Sequence, residues 1–124
     1  MKIELAKKEI IHFIGIGGIG MSGLALIMKA KGFQIQGSDI NKNKNIEKLK
    51  KQGVRIFIGH KKQNIKDVTI VVISSAIKKS NPELIEAKRK KLPVIKRGKM
   101  LANLVSLMKN LSLIHISEPT RQDR

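Results

Sequence analysis

The stretch that decides the fold of this chain is IIHFIGIGGIGMSG, residues 10–23. Its first part, residues 10–14, is apolar apart from His12 and predicts a buried β-strand. Residues 15–20 then fit the pattern G-x-G-x-x-G, and an amphipathic helix is expected at about 18–31. A glycine loop placed directly between a strand and a helix is typical of the first βαβ unit of a nucleotide-binding fold.

The rest of the chain alternates short β-branched runs with segments of helical period, which predicts parallel strands joined by helices. We expect further strands at residues 33–37, 54–58, 68–73 and 93–95, and helices at 45–52, 82–91 and 99–109. Asn81 is a plausible helix cap, with Pro82 at the first helical position and Glu83 favourable to the helix dipole. The predicted fold class is α/β, a single Rossmann-like domain whose sheet has about five parallel strands and helices on both faces.

The composition excludes several classes of site. The chain has no Cys, which rules out a disulfide scaffold, a zinc-thiolate site and a cysteine nucleophile. It carries 26 Lys and Arg against 9 Asp and Glu, a net charge of +17, but 21 of the basic residues are Lys and the only aromatic residues are 3 Phe. Specific nucleic-acid binders rely on Arg to read bases and on aromatic rings to stack them. We therefore expect no specific nucleic-acid partner, and a basic nucleic-acid binder is kept as an alternative.

One segment is long enough to raise the question of a membrane span. Residues 10–28 contain no charged side chain, yet five of these residues are Gly, which destabilise a spanning helix. Glu4 and Glu9 do not fit the basic start of a signal peptide. We therefore expect no membrane partner and a cytoplasmic location.

The glycine loop has the mechanical features of a diphosphate site. Gly15 allows the tight turn, Gly17 allows a pyrophosphate to approach the backbone, and Gly20 allows the helix to pack on the strand. The helix start offers free N–H groups to an anion, and Ser22 adds a hydroxyl in the first turn. Asp39, 19 residues after Gly20, could meet a ribose hydroxyl, or it could cap the segment that follows it. A glycine turn that holds no ligand is the other reading of the same pattern.

Further short motifs follow the glycine loop in order. They are Gly37-Ser38-Asp39, Gly59-His60, Ser74-Ser75-Ala76-Ile77, Asn81-Pro82-Glu83, and Pro93-Val94-Ile95-Lys96-Arg97 with Met100-Leu101 beyond. Together with residues 12–23, this series resembles the amino-terminal domain of the Mur ligases over roughly residues 8–109. Within that family it is most similar to the branch that adds L-alanine to UDP-N-acetylmuramic acid, more than to the branch that recycles whole muramyl peptides.

The resemblance implies a ligand and a set of contacts. The domain would hold the UDP part of UDP-N-acetylmuramic acid, with Ser38 and Asp39 beside the uridine, and His60 and Ser75 lining the same crevice. The loop residues that would take the diphosphate are Gly15, Gly17, Gly18, Ile19, Gly20, Met21 and Ser22. An NAD(H)-binding regulatory or oxidoreductase domain, with Asp39 on the adenosine ribose, stays open as an alternative. His60 could equally be an ordinary loop histidine, and Ser75 could merely satisfy backbone groups.

The family's reaction needs parts that this sequence does not show. In the intact family enzyme, ATP with Mg²⁺ phosphorylates the muramyl carboxylate and the amino group of L-alanine attacks the acyl phosphate. That chemistry requires a phosphate-binding P-loop, whereas Gly98-Lys99 is followed by Met100 rather than Ser or Thr. We therefore expect a substrate-binding fragment with no catalytic or metal-binding residue of its own, whose partners are the ATPase and carboxy-terminal domains of the same chain.

The end of the chain has a different character. Residues 111–121 read LSLIHISEPTR. This run closely resembles the translation of a transposase adapter used in sequencing libraries, so we expect residues 111–124 to be a non-native tail. A sixth strand, suggested by its apolar residues, is the alternative.

Overall fold

A computed structural model describes the backbone of residues 8–115 and the side chains of residues 8–109. Five strands lie in this part of the chain: Ile10–Ile14 (β1), Gln34–Asp39 (β2), Arg55–Ile58 (β3), Ile70–Ile73 (β4) and Val94–Lys96 (β5). The α-helices described with them are Ile19–Ala30 (α1), Lys44–Lys51 (α2), Pro82–Arg89 (α3) and Arg97–His115 (α4), and a 3₁₀ helix occupies Lys62–Ile65.

All five strands are parallel and lie in the order β3-β2-β1-β4-β5. The chain therefore builds outward from β1 in one direction and then crosses to the other side with β4. In open α/β sheets, ligands bind outside the carboxyl ends of the strands at such a reversal, here between β1 and β4. The predicted fold class is confirmed.

Helices cover both faces of the sheet. One core cluster joins α1, α2 and α4 to Ile11 and Phe13 of β1, and the other joins α3 and the 3₁₀ helix to Ile14. Side chains of a strand alternate between its faces, so His12 shares the face of Ile14. Right-handed crossovers explain why the helices lie on opposite faces. The helices α1 and α2 connect β1 to β2 and β2 to β3, toward one edge of the sheet, whereas α3 connects β4 to β5, toward the other edge.

The strand β2 is longer than predicted and ends at Asp39 rather than at residue 37. Ser38 and Asp39 lie in register with Phe57 and Ile58 of β3, so both are strand residues. The apolar run alone ends at residue 37, because neither Ser nor Asp favours a strand, and pairing with β3 carries the strand on to Asp39. The carboxyl end of β2 is thereby carried up to the level of the glycine loop.

The helix α4 differs most from its predicted bounds. It begins at Arg97 directly after β5 and runs for 19 residues. The backbone of residues 111–115 continues this helix, so these residues form no sixth strand, while residues 116–124 of the predicted tail lie outside the described residues. Between residues 8 and 115, no helix combines the length and apolar character that crossing a bilayer requires.

Candidate functional site

The glycine loop is held in shape by the end of β2. Gly15 has a φ of +81°, which favours glycine, and the amides of Gly15 and Ile16 both donate to the carbonyl oxygen of Ser38, at 2.8 and 2.9 Å. The amide of Gly17 donates to Asp39 Oδ2 at 2.8 Å. A Cβ atom at Gly17 would also lie 2.8 Å from that oxygen, so no side chain fits there without movement. The loop is therefore packed tightly against β2.

Three amides at the start of α1 face outward without an acceptor. The amide of Ser22 donates to the carbonyl of Gly18 at 2.7 Å, and no side chain caps the helix. The amides of Ile19, Gly20 and Met21 make no hydrogen bond within the described residues. Free N–H groups and the positive end of the helix dipole together favour an anion.

Arg97 lies across the start of α1. A Cβ atom at Gly20 would be 2.9 Å from Arg97 Nε and 3.2 Å from Cζ, so the guanidinium packs directly on the glycine. Among residues 8–109 no carboxylate pairs with this half-buried side chain. A cation at the positive end of a helix is unfavourable by itself, and a bound anion would remove that cost. Arg97 ends one of the sequence motifs, but no local pattern predicts its contact with Gly20.

Asp39 has two roles within the protein. Its Oδ2 atom accepts from Gly17, and its Oδ1 atom accepts from the amide of Asn41 at 3.1 Å. The second contact is the local cap that the sequence left open. Asn43 and Asn45 also donate to the carbonyl of Gly17, at 3.3 and 3.0 Å. Asp39 thus anchors the glycine loop, and its side chain is only partly buried.

The other predicted contacts fall into exposed and buried groups. Ser75 is exposed in the loop after β4, and Ile77 of that loop lies 3.2 Å from where a Cβ of Gly15 would be. This places the β4–α3 loop beside the glycine loop. The hydroxyl of Ser22 is buried and donates to the carbonyl of Ile19, and the side chain of Met21 is buried as well. Neither Met21 nor Ser22 therefore presents its side chain at the surface of this helix start. Of their two backbone amides, only that of Met21 is without an acceptor.

A buried carboxylate, Glu83 in the first turn of α3, lies behind this edge of the sheet. It is inaccessible to solvent and accepts four hydrogen bonds, two at each oxygen. Oε1 accepts from His12 Nε2 at 2.8 Å and Ser38 Oγ at 2.5 Å, and Oε2 accepts from the amide of Lys61 at 3.1 Å and Asn64 Nδ2 at 2.5 Å. We refer to Glu83, His12, Ser38, His60 and Asn64 as the Glu83 cluster.

The cluster keeps Glu83 ionised. Burial alone would raise the pKa of Glu83, but hydrogen bonds from His12, Ser38 and Asn64 outweigh it and hold the pKa below its ordinary value. Gln36 Nε2 donates both to the carbonyl of Asn64 and to His12 Nδ1, each at 2.8 Å. Since His12 Nδ1 accepts, the ring carries its proton on Nε2 and donates it to Glu83.

Ser38, which the resemblance places beside a uridine, presents no side chain to the surface. Its side chain is fully buried, and its hydroxyl is used by Glu83 and by His60 Nδ1 at 2.9 Å. His60 is 16% exposed and is the member of the pair that reaches the surface. No sequence motif predicts that Glu83 and His12 meet at this edge, although a polar residue such as His12 inside an apolar central strand is a signal of a buried polar partner.

The described residues show neither a metal-binding cluster nor the sequence pattern of a P-loop. No group of three His, Cys, Asp or Glu side chains among residues 8–109 could hold a metal ion. Aligned on Gly15 and Gly20, a P-loop pattern would have Lys at position 21, where this chain has Met21 before Ser22. The free amides of α1 and the guanidinium of Arg97 at this edge suit an anion.

Comparisons with known proteins agree with this geometry. A protein-family model described as "Mur ligase family, catalytic domain" matches residues 10–109. The chain is 72% identical over 111 residues to the UDP-N-acetylmuramate–L-alanine ligase of Pelagibacter ubique. The aligned residues make up 90% of this chain and 24% of that protein. The chain thus spans about a quarter of the length of that curated relative.

Solved structures show the same similarity. The UDP-N-acetylmuramate-alanine ligase of Thermotoga maritima has a TM-score of 0.72 and 35% identity, covering 82% of this chain and 23% of that one. The UDP-N-acetylmuramate:L-alanyl-gamma-D-glutamyl-meso-diaminopimelate ligase of Neisseria meningitides has a TM-score of 0.70 and 28% identity, covering 75% of this chain and 30% of that one.

Proposed function

The chain belongs to the Mur ligase family, and from that premise we propose that it binds the UDP part of UDP-N-acetylmuramic acid. The reaction it serves is the ATP-dependent addition of L-alanine to that substrate in peptidoglycan synthesis. The observation that carries the proposal is that three free amides at the start of α1 lie beside the guanidinium of Arg97, which has no carboxylate partner among the described residues. The 72% identity to an alanine-adding ligase, against 28% to a tripeptide-adding one, supports the branch.

The ligand would extend along the carboxyl edge of the sheet. Its diphosphate would accept hydrogen bonds from the amides of Ile19, Gly20 and Met21 and from Arg97. In nucleotide-binding folds of this type, the acidic residue at the end of the second strand meets the ribose, which assigns the ribose to Asp39. The nucleoside then runs toward β3, and the sugar runs the opposite way, toward Ser75 at the end of β4.

The contribution of this chain is binding and orientation. In the family reaction ATP supplies the phosphoryl group that activates the muramyl carboxylate. The described residues contain no group of three His, Cys, Asp or Glu side chains that could hold the metal ion, so we assign the activation to the rest of the family enzyme. The glycine loop and Arg97 neutralise and fix the diphosphate, which holds the sugar in one orientation relative to the sheet.

The decisive experiment is a pair of titrations. The 124-residue chain is titrated with UDP-N-acetylmuramate and with NADH at physiological salt, and heat is measured by calorimetry. We expect saturable binding of the UDP sugar and none of NADH. Tight NADH binding without response to the UDP sugar would favour the oxidoreductase alternative, and a steeply salt-dependent affinity for DNA that exceeds both would favour a nucleic-acid binder.

Arg97→Ala should weaken UDP-N-acetylmuramate binding by about 10- to 100-fold, because a hydrogen bond to a charged group is lost together with the positive charge. The control is Arg89→Ala on α3, since Arg89 is exposed and paired with Glu86. That variant should bind like the original chain. Calorimetry at two salt concentrations measures both, and an unchanged affinity in Arg97→Ala would remove this residue from the site.

Asp39 offers a second, graded change. Asp39→Ala should weaken binding by about tenfold, because the Gly17 amide loses its acceptor and the loop its anchor. Asp39→Asn keeps an oxygen that can accept from Gly17, so we expect a smaller loss. Titration of the two variants side by side tests this order, and full affinity in Asp39→Ala would contradict any role for the carboxylate.

We also infer that residues 111–124 are not part of the binding domain. The match to the family model ends at residue 109, and the adapter-like run begins two residues later. Sequencing the source DNA across the codon of Asn110 tests this boundary. A family-like continuation after that codon supports the inference, whereas the same tail read from genomic DNA overturns it.

A further inference from the structure

The four hydrogen bonds to Glu83 leave its carboxylate no free position. A carboxylate has about four lone-pair sites, and His12, Ser38, Lys61 and Asn64 occupy two at each oxygen. Glu83 therefore cannot contact a ligand itself. It can act on one only through a group bonded to it that also reaches the surface.

Ser38 and His60 form that connection. Because Glu83 is ionised it can only accept, so the single hydroxyl proton of Ser38 points at Glu83 Oε1. The Ser38 oxygen can then only accept from His60 Nδ1, 2.9 Å away. The His60 ring must carry a proton on Nδ1, and in the neutral ring the other nitrogen, Nε2, is an acceptor.

The Nε2 atom of His60 is open to a ligand. It makes no hydrogen bond within the described residues, and it is not among their buried atoms that lack a partner. It is therefore accessible at the surface, where the side chain is 16% exposed. The buried cluster thus ends in an acceptor of fixed direction just after β3.

The position of His60 matches the base of a bound nucleotide. Neighbouring strands lie about 4.8 Å apart, so the end of β3 is about 10 Å from the end of β1, comparable to the length of a nucleoside. The diphosphate lies at the start of α1 beyond β1, and the ribose lies at Asp39 on β2. The base then extends to the end of β3 beside His60.

Resting on the proposed function, we propose that Glu83 is a positioning residue for base selection: through Ser38 it holds His60 Nε2 as the acceptor for the N3–H group of uracil. Uracil donates at N3, whereas cytosine has an acceptor at that position. Cytosine would place two lone pairs against each other, so the site distinguishes UDP from CDP by the proton on one ring nitrogen.

The test compares UDP with CDP on the 124-residue chain at pH 8. We expect UDP to bind at least about tenfold more tightly than CDP. Glu83→Gln and Ser38→Ala should both reduce that ratio to about twofold or less, because either change frees the His60 ring to exchange its proton between nitrogens. Ser38→Ala keeps the test open if Glu83→Gln does not fold. The control is Ala87→Gly, which weakens α3 without touching the cluster and should keep the ratio.

The protonation state of His60 can also be observed directly. Nitrogen-15 NMR of the histidine rings distinguishes a protonated ring nitrogen from an unprotonated one. If Glu83 had only a structural role, the protonated nitrogen of His60 would be the same in the variants as in the original chain. We expect His60 protonated on Nδ1 in the original chain and a mixture of forms in Ser38→Ala. Protonation on Nε2, or equal affinity for UDP and CDP, overturns this proposal while UDP binding stands. Failure of both nucleotides to bind overturns the proposed function as well.

Discussion

Replacing Glu83 by Leu should lower the free energy of unfolding by about 3–5 kcal/mol, the largest loss we expect from a single substitution in this chain. The change removes one carboxylate and leaves four donors without an acceptor. These are His12 Nε2, the Ser38 hydroxyl, the Lys61 amide and Asn64 Nδ2. A buried donor without a partner costs its full desolvation energy, which the added apolar surface of Leu cannot offset.

Urea unfolding monitored by circular dichroism measures the loss. The matched control is Glu86→Leu, on the same helix, where the replaced carboxylate pairs only with the exposed Arg89. We expect that control to change stability far less. Equal losses in the two variants would mean that the cluster contributes no more than an ordinary surface pair.

The Glu83 carboxylate also makes the stability of the folded protein depend on pH. The pKa of Glu83 in the folded protein lies below its ordinary value of 4.5, so the folded state binds the proton less readily than the unfolded state. The stabilisation from this group is therefore fully present above about pH 5 and is lost as the pH falls through the folded pKa. Glu83→Gln lacks this titration, so its stability should fall less than that of the original chain between about pH 5 and pH 3.

Gly37→Ala should be the second most damaging change, at about 3 kcal/mol. A Cβ atom at Gly37 would lie 2.5 Å from Ile16 Cδ1, 2.6 Å from Ile16 Cβ and 2.8 Å from the carbonyl oxygen of Phe13. Ile16 is fully buried and Phe13 belongs to the central strand, so neither can move aside cheaply. The displacement would also shift the glycine loop in which Ile16 lies.

The control for this effect is another glycine near the loop. A Cβ atom at Gly23, inside α1, would meet nothing within 4 Å. Gly23→Ala should therefore be neutral or stabilise the protein by up to about 1 kcal/mol, since Ala favours a helix more than Gly does. Thermal and urea unfolding of the two variants test the contrast, and a similar loss in both would refute the steric explanation.

Much of the fold could be predicted because its signals are local. Residues 10–14 alternate with the two faces of a buried strand, the glycine pattern stands between that strand and α1, and Asn81 caps α3 as expected, accepting from Glu83 and Leu84 amides. Each of these patterns lies within one element and its flanking turn. The end of β2 and the bounds of α4 do not follow from a local pattern, because pairing with β3 and packing after β5 decide them.

The sequence by itself determined the α/β class, the parallel sheet and the position of the glycine loop, since periodicity and glycine spacing are properties of short segments. Only the tertiary structure showed that Arg97 lies on Gly20, 77 positions away, and that Glu83 bonds His12, 71 positions away. It also showed that Ser38 is a buried connection rather than a surface contact. A hydrogen-bonded cluster depends on which strand ends and helix starts meet in space, and no local pattern encodes which donor a buried carboxylate will face.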